Sequence, residues 1–374
     1  SSLINMNSKE VMNHAADNIR ILAASIIEKA KSGHPGGAMG GADFINVLYA
    51  EYLQYDPENP YWEGRDRFFL DPGHMSPMLY AQLCMTGHYT MEELQQLRQW
   101  GSVTPGHPER NVVRGIENTS GPLGQGHTFA VGAALAAKWF NARYGEVHNP
   151  TIYAFISDGG IQEEISQGAG RMAGHFKLDN LIMYYDSNEV QLSTNCNEVS
   201  SENVAMKYEA WGWYVQDING HDPEAIRQAI KNAQAEKDRP SLIIGHTSMG
   251  KDCVNAEGES WEGKTSTHGQ PLSKSGASFE ATVKNLGGDP ENPFQIFPDV
   301  QALYDKRAEE LREITNQRYA AYHEWAQANP LAANEYETFM RGETPCIDWS
   351  VIQQKQNVAT RTASATALSF LSEN

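Results

Sequence analysis

The four cysteines, Cys84, Cys196, Cys253 and Cys346, include no C-x-x-C pair and no spacing typical of a zinc site. Neither a disulfide framework nor a structural zinc is expected. Scattered free thiols suit a reducing compartment, so the chain is expected to be cytoplasmic. Basic residues are scarce as well: 29 Lys and Arg against 47 Asp and Glu give a net charge of −18. No run of Lys and Arg offsets that balance locally. Nucleic acid and acidic membrane surfaces, both polyanions, are therefore excluded as expected partners. Long apolar runs are missing too. No segment reaches the roughly 18 uninterrupted apolar residues of a membrane span, and no apolar signal core is present. Internal repeats and low-complexity stretches are absent.

What the chain does contain is an alternation of strand and helix patterns. Strand candidates fall at 151–156, 180–186, 213–218 and 241–247; in the first two, Ile152–Ile156 and Leu181–Tyr185 are short unbroken apolar segments, typical of parallel strands buried on both faces. Helical patterns fall between them at about 162–175, 202–210 and 223–236. The pattern predicts an α/β fold with a doubly wound parallel sheet flanked by helices. Upstream, 8–31 reads as an amphipathic helix with Val11, Ala15, Ile19, Leu22 and Ile26 on one stripe. Short helices and Gly- and Pro-rich loops continue to Gly126, and 130–144 reads as a helix of small residues. Residues 250–297 look irregular, and so long a loop in a compact domain is usually functional. A charged helix over 299–329 stops at Pro330. From there 330–357 reads as an extended connector, and 358–371 as the opening helix of a further element.

The most telling feature is a pair of strand ends thirty residues apart. Asp158 follows the first apolar segment and is itself followed by Gly159 and Gly160; Asn188 follows the second. If the strands are neighbours, both side chains emerge at the carboxyl edge of the sheet, where open α/β sheets bind ligands. One carboxylate and one amide oxygen suit a magnesium ion that keeps other positions for a diphosphate and water. The bare glycine backbone lets phosphates approach closely. Taken alone, Asp-Gly-Gly is equally a strand ending in a turn. Four histidines, His34, His74, His107 and His268, sit beside glycine in turn-rich loops. A lone histidine is usually structural, but imidazoles in such loops are well placed to move protons near neutral pH.

These features have a joint context: Ser32-Gly33-His34-Pro35-Gly36, Asp71-Pro72-Gly73-His74, Thr104-Pro105-Gly106-His107-Pro108-Glu109, Gly121-Pro122-Leu123-Gly124-Gln125-Gly126, Asp158 with Asn188, Thr267-His268-Gly269 and Thr360-Arg361-Thr362-Ala363-Ser364. In that order and at that spacing they resemble the transketolase family of thiamine diphosphate enzymes over nearly the whole chain. The resemblance implies that Asp158, Asn188 and the Val190 carbonyl hold magnesium, with calcium able to substitute. It implies that His74, Gly121, Pro122, Leu123, Gly159 and His268 border the cofactor. His34 and His107 would contact the sugar, with His268 near the reacting carbon and His74 near both cofactor and substrate. Arg361 would grip the substrate phosphate, a task suited to a planar charged fork, with Ser364 beside it. Glu163 would join a carboxylate network between subunits; its plain alternative is a glutamate favoured by the helix dipole. Two departures stand out. Ser157 replaces the usual glycine, and His127-Thr128 follow the glycine loop where small apolar residues are usual. His127 is given no catalytic role.

The implied organisation is a diphosphate-binding domain over 1–329, a linker over 330–357, and at 358–374 the first helix of a pyrimidine-binding domain. The implied activity is reversible transfer of a two-carbon ketol unit between sugar phosphates in the pentose phosphate pathway, by a homodimer. In the family the activating glutamate belongs to the pyrimidine-binding domain, so these residues alone are expected to be inactive without that domain or subunit. Dihydroxyacetone synthase, 1-deoxyxylulose-5-phosphate synthase and a non-catalytic scaffold binding magnesium diphosphate are the alternatives. The Pro-Gly-His-Pro-Glu segment and the order of the histidine loops favour transketolase over the second of these.

Overall fold

Tyr153 and Phe155 face the opposite way from Ile152, Ala154 and Ile156, and that two-residue period organises the whole molecule. The computed structural model describes residues 7–189, 197, 200–344 and 346–374. Five strands form one parallel sheet: β1 (Arg67–Leu70), β2 (Ile152–Ser157), β3 (Leu181–Ser187), β4 (Tyr214–Asn219) and β5 (Ser241–His246), ordered β1-β2-β3-β5-β4. Every residue of β2 and β3 is buried, because helices cover both faces. On one face, Tyr153, Phe155, Ile182, Tyr184 and Ile243 pack with Ile19, Leu22 and Ile26 of helix Lys9–Ala30. On the other, Ile152, Ala154, Ile156, Leu181 and Met183 pack with small residues of Gln125–Tyr144 and Glu164–His175. Each fully buried large apolar side chain contributes about 1.5–3 kcal/mol, so these two layers dominate the stability of the sheet. This is the doubly wound α/β architecture expected from the alternation. No helix among the described residues is long and apolar enough to cross a membrane.

Several local expectations need correction. The expected helix over 162–175 is two helices, Asp158–Gln162 and Glu164–His175, because Glu163 between them is extended at φ −65°, ψ 141°. The helix expected from Ala130 starts at Gln125, with Gly124 in the left-handed region at φ 91°. Residues 330–357 are not all extended: Pro330–Met340 is a helix. Pro330 was read only as a stop, but proline is also favoured at the first helical position, where its missing N–H costs nothing. By compactness the chain divides into one unit up to Glu324 and another from Trp325 to Asn374. The second unit contains Pro330–Met340, with Tyr336 ringed against Trp325, and the helix Thr360–Glu373.

Candidate functional site

The register of β2 on β3 sets Ser157 beside Asp186, so Asp158 and Asn188 leave the sheet at the same edge. Asp158 is 3% exposed. Its carboxylate accepts from the Tyr185 hydroxyl and from the backbone N–H groups of Asn188 (3.1 Å) and Glu189 (2.9 Å). Burial raises its pKa above the ordinary carboxylate value, and these three donors pull it back down. The Asn188 amide donates to Asp186 at 3.3 Å. Two strand ends are thus locked together around one carboxylate.

Four loops close over that edge. A side-chain carbon on Gly73 would lie 3.0 Å from the His107 ring and 3.1 Å from the Gly121 nitrogen, so three of the motif loops touch at one glycine. Gly36 likewise lies against Met249 and the Thr267 carbonyl. The cleft between these loops, about 660 Å³, is lined by all four histidines together with Asp158, Gly159, Asn188, Gly121, Leu123 and Glu163. Three imidazoles form a triangle: ring centroids are 5.0 Å apart for His34–His74, 5.4 Å for His34–His268 and 5.0 Å for His74–His268. Burial, and then mutual repulsion of any charge, holds His34 down at about 4 and His74 well below its usual value. Burial also lowers His107 and His268. Each shift favours the neutral ring. His34 Nδ1 lies 2.7 Å from the His268 carbonyl, which can only accept. The proton therefore sits on Nδ1, and Nε2 is the basic nitrogen of that ring.

Asp71 was quoted above only as part of a motif, yet it holds the glycine loop. Fully buried at the end of β1, it accepts from Gly124 N (3.0 Å) and His127 N (3.3 Å). It thereby caps the helix Gln125–Tyr144 from a different strand. The only signal in the sequence was an aspartate ending the short apolar run Phe68-Phe69-Leu70, a strand too brief to be singled out. Glu163 is exposed at the joint between two helices and borders the cleft. Pro122 is exposed beside Leu123, and Leu123 reaches over Gly159. Val190 lies outside the described residues. Arg361 and Ser364 are exposed on the helix Thr360–Glu373 of the second unit. His127 is fully buried between Tyr208 and Trp213, and neither ring nitrogen has a partner.

The donor set fits a hard divalent ion that is completed by its ligand. Among the described residues no three His, Cys, Asp or Glu side chains cluster to hold a metal unaided. Asp158 and Asn188 offer two oxygens and leave the rest of an octahedron to a diphosphate and water. The bare backbone at Gly159, with Leu123 against it, and a buried His268 Nδ1 lacking a partner suit a bound diphosphate cofactor.

Residues 11–345 match the family model "Transketolase, thiamine diphosphate binding domain". The chain belongs to that family. It is 40% identical to transketolase 1 of Escherichia coli over 338 residues, covering 88% of this chain and 49% of that protein. It is 36% identical to the transketolase of Geobacillus stearothermophilus over 371 residues, covering 96% and 54%. The solved transketolase from Leishmania mexicana superposes with a TM-score of 0.87 at 34% identity, covering 97% of this chain and 54% of that one. The chain thus spans about half the length of the curated relatives it matches.

Proposed function

We propose that this chain is the diphosphate-binding half of a transketolase that transfers a two-carbon ketol unit reversibly between sugar phosphates. One observation carries the reading: three imidazoles within 5.0–5.4 Å of one another line the same cleft as the Asp158–Asn188 edge. Asp158, Asn188 and the Val190 carbonyl would hold magnesium, or calcium in its place, and Gly159, Gly121, Pro122, Leu123, His74 and His268 would border thiamine diphosphate. When bound, that cofactor supplies an acidic carbon that attacks the ketose carbonyl and an electron sink for the broken carbon–carbon bond. The protein's own part is positioning and proton transfer. His34, with its basic Nε2, and His107 take the sugar hydroxyl and carbonyl side. Arg361 and Ser364 take the phosphate. Glu163 enters a carboxylate network between subunits.

A pyrimidine-binding domain, on the same polypeptide or another, supplies the activating acid. A second copy of the chain completes a homodimer, in the cytoplasm and in the pentose phosphate pathway. Phe129 and Trp139 on one helix and Ile165 and Met172 on its neighbour stay 45–48% exposed, and supply an apolar face for it.

The test is an assay of residues 1–374 with xylulose 5-phosphate, ribose 5-phosphate, magnesium and excess cofactor, alone and with a pyrimidine-binding domain. Ketol transfer is expected only in the mixture. Robust transfer by these residues alone would overturn the two-half reading, and no transfer or cofactor binding in either case would overturn the whole.

A further inference from the structure

Asp186 lies one strand residue from the cleft and belongs to no motif considered so far. It is fully buried on β3, between Ser157 of β2 and Gly245 of β5. Its Oδ1 is engaged by the Thr247 hydroxyl, at the end of β5, and its Oδ2 accepts from the Asn188 side-chain nitrogen at 3.3 Å. The Asn188 backbone is meanwhile tied to Asp158 at 3.1 Å. An amide has two faces of nearly equal size, one a donor and one an acceptor, and only the oxygen binds a metal. As a carboxylate Asp186 offers only acceptors, so the NH₂ group faces its Oδ2 and the amide oxygen turns away.

We infer that Asp186 is a positioning residue that sets the orientation of the Asn188 amide, and through it the divalent-ion affinity of the site. The inference rests on the metal reading above. Thr247 extends the device, because it fixes Asp186 from the far strand.

The probe is Mn²⁺, whose binding to the full chain with saturating thiamine diphosphate is followed by electron paramagnetic resonance. Asp186→Leu, which keeps the branched four-atom skeleton but has no acceptor, should weaken Mn²⁺ binding on the order of 10–100-fold. The decisive arm uses Asn188→Asp. A carboxylate has no wrong face, so in that background Asp186→Leu should cost less than about threefold. A merely structural role would cost the same in both backgrounds, and that result, or parent-like affinity for Asp186→Leu, overturns the inference. If Asp186→Leu fails to fold by circular dichroism, Asp186→Ala in the same two backgrounds decides, and equal losses in both overturn the inference. Absence of any Mn²⁺ binding by the parent chain would instead remove the metal assignment itself.

Discussion

Asp158 and His127 are both buried beside the glycine loops, yet they have opposite claims on the molecule. Asp158 has three donors and sits at a strand end, so its side chain serves the site more than the core. Asp158→Ala should leave the fold intact by circular dichroism and abolish magnesium-dependent binding of thiamine diphosphate in a calorimetric titration; unchanged affinity would remove the metal assignment. His127 has two buried nitrogens and no partner for either. Leaving such groups unsatisfied costs about 1–3 kcal/mol, so His127→Leu should stabilise the chain by that amount at pH 7. Burial also lowers the His127 pKa from 6.5 to about 3. Between those values the unfolded chain binds a proton that the folded chain refuses, so stability falls as pH drops through that window. The gain from His127→Leu should therefore be larger at pH 5 than at pH 7, by about 2 kcal/mol in urea unfolding.

At the scale of the elements, closeness of backbone to backbone is what the glycines supply. A side-chain carbon on Gly126 would lie 2.5 Å from the Asp71 Cα, where no flexible atom can give way. Gly126→Ala should destabilise the chain by about 1–3 kcal/mol and weaken cofactor binding, because it drives β1 away from the loop it caps. A normal urea midpoint in that variant would contradict this account. The strands β2 and β3 were legible to within a residue or so, since burial on both faces leaves an unbroken apolar signature; β4, only half-buried, and β5 were legible from their place in the strand–helix alternation. β1 was not, being four residues long. Nor was the start of the helix at Gln125, whose cap is Asp71, 53 residues earlier than Gly124. The histidine loops were legible as motifs, but their convergence at Gly73 and the orienting role of Asp186 exist only in three dimensions. Chemistry at strand ends can be read from local pattern; the bonds that aim it cross between strands and leave none.

At the scale of the whole molecule, the apolar face formed by helices Gln125–Tyr144 and Glu164–His175 is where the proposed second copy would dock. Along it, Gly132 and Gly168 have nothing within 4 Å of a would-be Cβ, so a partner backbone can approach closely. Trp139→Glu combined with Met172→Glu should weaken self-association at least tenfold in light scattering while the far-ultraviolet spectrum stays the same. An unchanged mass would rule out this face as the contact of the proposed dimer.

The strand order β1-β2-β3-β5-β4 also has a temporal meaning. β4 pairs only with β5, which inserts between it and β3. As the chain emerges from a ribosome, β3 presents a bare edge, and β4 has no strand to join until residues 241–246 appear. Unpaired edges are where nascent chains stick to one another. Thr247, the next residue to emerge, then reaches Asp186. Closure of the sheet and alignment of the Asn188 amide therefore both wait on the same stretch of chain, residues 241–247.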